Sequence, residues 1–243
     1  VANEEGPLAQ FEIHKIIPMH IGGHDVSFTN SSFFMMGVLL LISLFMIGGM
    51  RRAAIVPGRW QLMVEAAYEF VANMVTDTAG QEARKYFPFI FTIFMFVLFA
   101  NVIGIIPYTF TVTSHIIITF AMAAVVFLGV TVIGFIKHGA HFLKFFVPSG
   151  VPAVMLLILV PIEVISYLTR PVSLSVRLFA NMMAGHTILK VFGGFVVALG
   201  VFGVVPLLFI SALTGLELLV AALQAYVFAV LTCIYLNDAL HMH

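Results

Sequence analysis

Charge is what this 243-residue chain has least of: 9% of its residues are Asp, Glu, Lys or Arg and 62% are hydrophobic. A soluble domain carries about 25% charged and about 45 to 50% apolar residues. No Asp, Glu, Lys or Arg occurs from Tyr86 to Ile136 or from Val191 to Leu216, and each stretch exceeds the ~20 apolar residues with which a helix crosses a bilayer. The shortage excludes a soluble domain and implies an integral membrane protein. Neither sign of charge is in excess, with eleven basic and eleven acidic residues, so there is no electrostatic footprint for nucleic acid or a polyanionic partner. Cys233 is the single cysteine, which excludes an internal disulfide and a cysteine-built zinc site. Residues 1 to 30 lack the apolar core of a signal peptide. The chain starts at Val1 rather than methionine, as expected if an upstream piece has been removed.

What is present is a succession of apolar runs with informative borders. Residues 1 to 30 carry Glu4, Glu5, Glu12 and Asp25 against Lys15, whereas Arg51, Arg52 and Arg59 follow the first apolar run, Phe33 to Met50. The positive-inside rule then puts the N-terminus on the outer side, with a first transmembrane helix over 31–50. From Arg59 to Gln81, polar Gln61, Glu65, Glu69, Asn73, Thr76 and Asp77 stand opposite Trp60, Met63, Val64, Ala67, Val71 and Met74. This is helical amphipathicity. It predicts an inner-surface helix over 59–82, lying in the interface or packed on soluble partner subunits.

A transmembrane hairpin is expected over 86–137, its arms at Phe87 to Ile106 and about His115 to Ile136 joined by the turn-like "IPYTFTVTS". Lys137, His138, His141 and Lys144 mark an inner loop, and "VPSGVP" at 147–152 breaks any helix. Two long apolar parts remain within 152–237: residues 153–190 and 195–236, divided by "FGGF". The first, as one helix at ~1.5 Å per residue, extends roughly 57 Å, about twice the ~30 Å hydrocarbon core. Unless Pro161 or Pro171 folds it back, it tilts steeply or lies nearly flat. The expected architecture is one all-α membrane domain, 1–243, ending in a hairpin of two overlong tilted helices.

Within the first long helix Glu163, Ser166, Arg170, Ser173, Arg177 and Asn181 follow one another at steps of three or four and share one face. Each charge at mid-membrane costs about 2.5 to 3.5 kcal/mol on insertion scales, so this stripe lines water or protein rather than lipid. In the second, Thr214, Glu217 and Gln224 share a face, and Glu217 is the sole acidic residue between 164 and 237. The plain alternative is that these groups only join helices by hydrogen bonds, at about 0.6 kcal/mol each. That alternative is stronger for the serines, Asn181 and Thr214 than for the ionisable groups. His186 becomes a candidate titrating group through the availability of Glu217. Arg177 stays charged at physiological pH and its segment offers no carboxylate, so its partner is expected on another subunit. Arg170 reads as an anchor near an interface.

The segment "RPVSLSVRLFANMMAGH" at 170–186, "LELLVAALQAYVFAVLTCIYL" at 216–236 and the order of membrane segments resemble subunit a of the F-type ATP synthase, in its mitochondrial-like, alphaproteobacterial form. The resemblance implies a non-catalytic stator subunit of the Fo proton channel without cofactors. It also implies partners: the c-subunit ring, peripheral-stalk b-type subunits, the remaining F1Fo subunits and membrane lipid. Arg177 matches the family's essential arginine, Asn181 its asparagine, Gln224 its glutamine, and Glu163 a carboxylate on the inward access path. Many bacterial members carry Glu at the place of His186 and His at that of Glu217. This chain has them exchanged, as mitochondrial members do, which keeps one imidazole and one carboxylate together. Gly104 stands where many bacterial members have an acidic residue, with Asn101 one turn earlier.

The implied mechanism has two offset half-channels. Protons enter from outside by His186, Glu217, Asn181 and Gln224, and leave by an inner path lined by Glu163, Ser166, Ser173 and Asp238. Arg177 separates the two. The implied location is the bacterial plasma membrane, or alternatively the mitochondrial inner membrane. A secondary transporter, the main rival, usually shows two related halves, and the charged stripe has no counterpart in residues 1 to 140. A metal enzyme would need more than the pairs His138 with His141, His241 with His243 and His20 with His24, which lack completing carboxylates.

Overall fold

The computed structural model describes residues 11, 13–18, 20–21, 24–25, 27–51, 54–106, 109–139, 141–142, 147 and 152–241. Glu4, Glu5, Glu12, Arg52, Lys144, His243 and most of "VPSGVP" lie outside the described residues, as do the side chains of His20 and His24. Four short strands come first: β1 (Lys15–Ile17), β2 (His20–Ile21), β3 (His24–Asp25) and β4 (Phe28–Thr29). β1 pairs with β4 and β2 with β3, both antiparallel. The nested ladders were not legible in the polar segment, and they bring residue 14 back to the start of the first helix, where the Asn30 amide donates to the His14 carbonyl at 3.1 Å.

The rest is helical. α1 (Asn30–Met50) is capped by Thr29, whose side chain accepts from the Ser32 amide, the usual way a threonine satisfies a free N–H at a helix start. α2 (Arg59–Ala79) buries Val64, Val71, Met74 and Val75 against neighbouring helices. Trp60 and Met63, placed on the same apolar face by their spacing, are exposed instead. α3 (Phe87–Ile105) and α4 (Ile116–His138) are the two expected apolar helices, but α3 packs chiefly on the later helix Val204–Leu240, and α4 on that helix and Ala153–Leu199, rather than on each other. Lys137 at the end of α4 pairs with Glu82 in the 3-10 turn Gln81–Tyr86. α1, the Gln81–Ile105 segment, α4 and the Met155–Leu240 region are long and apolar enough to cross a membrane, while α2 is not among them. The chain is an all-α integral membrane protein.

α5 (Ala153–Leu199) runs for 47 residues, about 70 Å at ~1.5 Å per residue. It continues through Pro161 and Pro171, although each ring removes an interior N–H and crowds the carbonyl four residues earlier. α6 (Val204–Leu240) has 37 residues. The two parts are divided at the 3-10 turn Gly200–Gly203, and not at "FGGF", which lies inside α5. A glycine pair lowers helix propensity but reverses a chain only where the backbone takes a non-helical conformation. That happens at Gly200, where φ is +55°, a value that suits glycine.

α6 is the hub, packing on α2, α3, α4 and α5. Its Ala221, Ala225, Ala229 and Cys233 recur every fourth residue and are all fully buried. In lipid, apolar side chains gain little by leaving the tails, so helices associate by close packing, and small residues at spacings of four let backbones approach. The lone cysteine is the fourth small residue of that row. Substituting leucine at Ala225 would separate the helices and move every group that α6 carries.

Candidate functional site

The face of α5 fixed by Tyr167, Leu174, Leu178 and Met182 is buried, which turns the polar stripe outward. Ser166, Ser173, Arg177 and Asn181 are exposed, and Glu163 and Arg170 are half-buried. Arg177 has no hydrogen-bond or ion-pair partner among the described residues. Ser173 donates to the Arg170 carbonyl at 3.0 Å, within its own helix. Glu163 and Ser166 lie on the stripe without being drawn to any group of α6.

The seven residues between Arg170 and Arg177 separate two different environments. Arg170 Nη1 donates to Asp238 Oδ2 at 2.9 Å, across the α5–α6 contact. Its guanidinium lies 5.4 Å from the ring centroid of Tyr167 and 5.0 Å from that of Tyr235, both within the ~6 Å range of cation–π attraction. Tyr167 shares a 2.8 Å hydrogen bond with Thr131 of α4. Asp238, expected on an inner path, is therefore engaged by the arginine expected to be an anchor.

Toward the α5–α6 turn the polar groups are less satisfied. Asn181 Nδ2 donates to Gln224 Oε1 at 3.0 Å. Gln224 is buried, and its Nε2 has no partner among the described residues. His186 Nε2 lies 3.6 Å from Glu217 Oε1, with side chains 11% and 6% exposed. That is too far for a hydrogen bond, and both carboxylate oxygens of Glu217 are buried without one among the described residues. The approach depends on Gly185, since a Cβ there would stand 2.7 Å from Glu217 Oε1. A buried carboxylate with no donor costs several kcal/mol if charged.

The α3–α4 connection supplies residues that sequence reasoning missed. Thr111 Oγ1 lies 3.1 Å from His186 Nε2. Thr113 Oγ1 donates to Asn101 Oδ1 at 2.9 Å, and Asn101 Nδ2 donates to the Ala221 carbonyl at 3.4 Å. The alternation of threonines in "TFTVT" was the available signal, but in a loop it reads as turn chemistry. Thr214 is exposed and donates to the Ile210 carbonyl of its own helix, so it does not join Glu217 and Gln224.

Among the described residues no group of three His, Cys, Asp or Glu could hold a metal ion. His138 contacts the Leu240 carbonyl at 3.3 Å and His241 contacts Asn237 at 2.9 Å, so each is engaged away from the other histidines.

Comparison with known proteins points the same way. Residues 32–237 match the family described as ATP synthase A chain. The chain is 62% identical over 239 residues to an ATP synthase subunit a of Pelagibacter ubique, covering 98% of each. It is 60% identical over 242 residues to that of Parvibaculum lavamentivorans, covering 97% of this chain and 93% of the relative. With that of Paramagnetospirillum magneticum the identity is 58% over 244 residues, covering 98% and 99%. The family match over residues 32–237, together with relatives this similar over nearly their whole length, shows that this chain belongs to the ATP synthase A chain family.

Proposed function

We propose that this chain is the non-catalytic stator subunit of the Fo proton channel, coupling proton flow to rotation of a ring of c subunits in a bacterial plasma membrane. The observation that carries the reading is the exposed Arg177, which lacks a partner among the described residues while Arg170 is neutralised by Asp238. A permanent cation on an exposed membrane face calls for a carboxylate on a neighbouring subunit. A ring subunit with one membrane-embedded carboxylate meets that need. Peripheral-stalk b-type subunits and the other F1Fo subunits complete the complex.

A charged carboxylate is costly in lipid and a protonated one much less so, so ring sites leave the stator only when loaded. Protons reach them from the outer side through His186, Glu217, Asn181 and Gln224, with Asn101 beside the path. After nearly a full turn a site releases its proton to an inner path by Glu163, Ser166 and Ser173. Asp238, paired with Arg170, borders that path. Arg177 stands between the paths, stabilises the deprotonated ring site and repels a proton passing directly. The N-terminus faces outward and α2 lies at the inner surface.

The test is Arg177→Ala in sealed vesicles, following ATP-driven pumping, ATP synthesis and passive proton leak, with immunoblots for assembly. Loss of coupled transport in an assembled complex is expected, with added leak marking the seal. Near-normal pumping and synthesis would overturn the assignment.

A further inference from the structure

His186 Nε2 has two neighbours, and only one of them has been given a role. Glu217 Oε1 stands 3.6 Å away on α6. Thr111 Oγ1, in the connection before α4, is nearer at 3.1 Å and is 4% exposed. The same hydroxyl is 3.3 Å from the Gly104 carbonyl of α3. Thr111 therefore sits between a group that can only accept, the carbonyl, and a nitrogen that accepts or donates according to its protonation. We propose that Thr111 is a positioning residue of the proton path: its hydroxyl switches between donating to His186 Nε2 and donating to the Gly104 carbonyl as His186 passes its proton to Glu217.

The inference rests on the reading of His186 and Glu217 as a proton relay. When His186 carries a proton on Nε2, that N–H donates to Thr111 Oγ1 and the threonine proton turns to the Gly104 carbonyl. When Glu217 closes the remaining gap, the Nε2–H bond breaks and an O–H bond forms on Glu217. Imidazolium and carboxylate become neutral imidazole and carboxylic acid, and charge and protons balance. Once Glu217 withdraws to the observed 3.6 Å, the bared Nε2 would be a buried acceptor without a donor, at a cost of about 1 to 3 kcal/mol. Rotation of one O–H satisfies it without moving the backbone. A hydroxyl, being donor and acceptor, serves both states, which a carbonyl or an ammonium could not.

The surroundings keep the hydroxyl in place. A Cβ at Gly104 would stand 2.7 Å from Thr111 Cγ2 and 3.2 Å from its Oγ1, so glycine on α3 is what admits the threonine. Phe11 meets the His186 ring edge-on at 6.3 Å between centroids and restricts its tilt. Lys190 stands one turn further along α5 and is exposed.

The experiment measures passive proton conductance in membrane vesicles stripped of F1, with immunoblots for assembled Fo, for Thr111→Val, Thr111→Ala, Thr111→Ser and His186→Ala together. Removing the hydroxyl is expected to lower conductance about five- to tenfold, the equivalent of one hydrogen bond in the transfer step. Thr111→Ser keeps the hydroxyl and is expected within about twofold of the parent, and His186→Ala is expected to fall furthest. Parent-like conductance in an assembled Thr111→Val or Thr111→Ala complex, beside a collapsed His186→Ala, would overturn the role of Thr111 and leave the relay standing. Parent-like conductance of His186→Ala would remove the relay itself. Equal losses in the valine, alanine and serine variants, or failure of both hydroxyl-free variants to assemble, would make Thr111 a packing residue and end the proposal.

Discussion

The two ends of the α5–α6 contact use similar residue types to opposite effect. Around Arg170 the cation has a carboxylate at 2.9 Å and two aromatic rings, one of them tied to α4 by a hydrogen bond. Around His186 and Glu217 the distances are longer, both carboxylate oxygens lack partners, and Gln224 keeps an orphaned amide nitrogen. A satisfied cluster has one low-energy arrangement and holds helices in register. An unsatisfied one in a low-dielectric setting has its energy lowered by moving a proton or admitting a water. On the proposed reading the first end fixes the hairpin and the second passes the proton, and each can be broken separately.

The largest effect is expected at the transfer end. Glu217→His and His186→Glu alone should each reduce proton-driven ATP synthesis by about a hundredfold, since a positioned acid or base contributes roughly 10²- to 10⁴-fold. Combined, they restore one carboxylate and one imidazole, and synthesis should recover above either single variant. A double variant no better than the worse single one removes the relay. Gln224→Leu should come next, lowering synthesis about tenfold by leaving Asn181 without its acceptor while the complex assembles normally.

Effects at the clamp should be smaller and fall on stability. Asp238→Asn removes the negative charge opposite Arg170 and leaves a neutral amide oxygen as the acceptor. Because both side chains are partly exposed, 21% and 35%, the expected loss is about 1 kcal/mol, read as a lower unfolding midpoint in detergent with pumping per assembled complex retained. Exchanging the charges, Arg170→Asp with Asp238→Arg, should recover part of it. Tyr167→Phe should be smallest, about 1 kcal/mol or less for the hydrogen bond to Thr131. If Asp238→Asn instead abolishes pumping in a stable complex, the division between clamp and transfer end fails.

Much of this was legible in the linear sequence, for a reason that holds at each place. Charge is so costly in a bilayer that the steps between Glu163, Ser166, Arg170, Ser173, Arg177 and Asn181 marked one polar face turned away from lipid before any helix was placed. Apolar length predicted α1, α3 and α4 within a few residues. The division between α5 and α6 was misplaced because Gly193–Gly194 and Gly200 look alike in sequence, and only the backbone shows which one leaves the helix. A periodic face says which residues of α2 are apolar, not what covers them: Val64, Val71 and Met74 pack within the chain, whereas Trp60 and Met63 are exposed.

What the sequence by itself determined is the membrane class, the family and the shared face of the α5 polar residues, because all three depend on composition and on the period of a helix. Only the tertiary structure decided which charges meet. Arg170 finds Asp238 across 68 residues and Thr111 reaches His186 across 75, separations over which no local spacing carries information. Those partners follow from the row Ala221, Ala225, Ala229 and Cys233, whose small side chains set how closely α6 meets its neighbours and hence which polar groups come within a proton's reach.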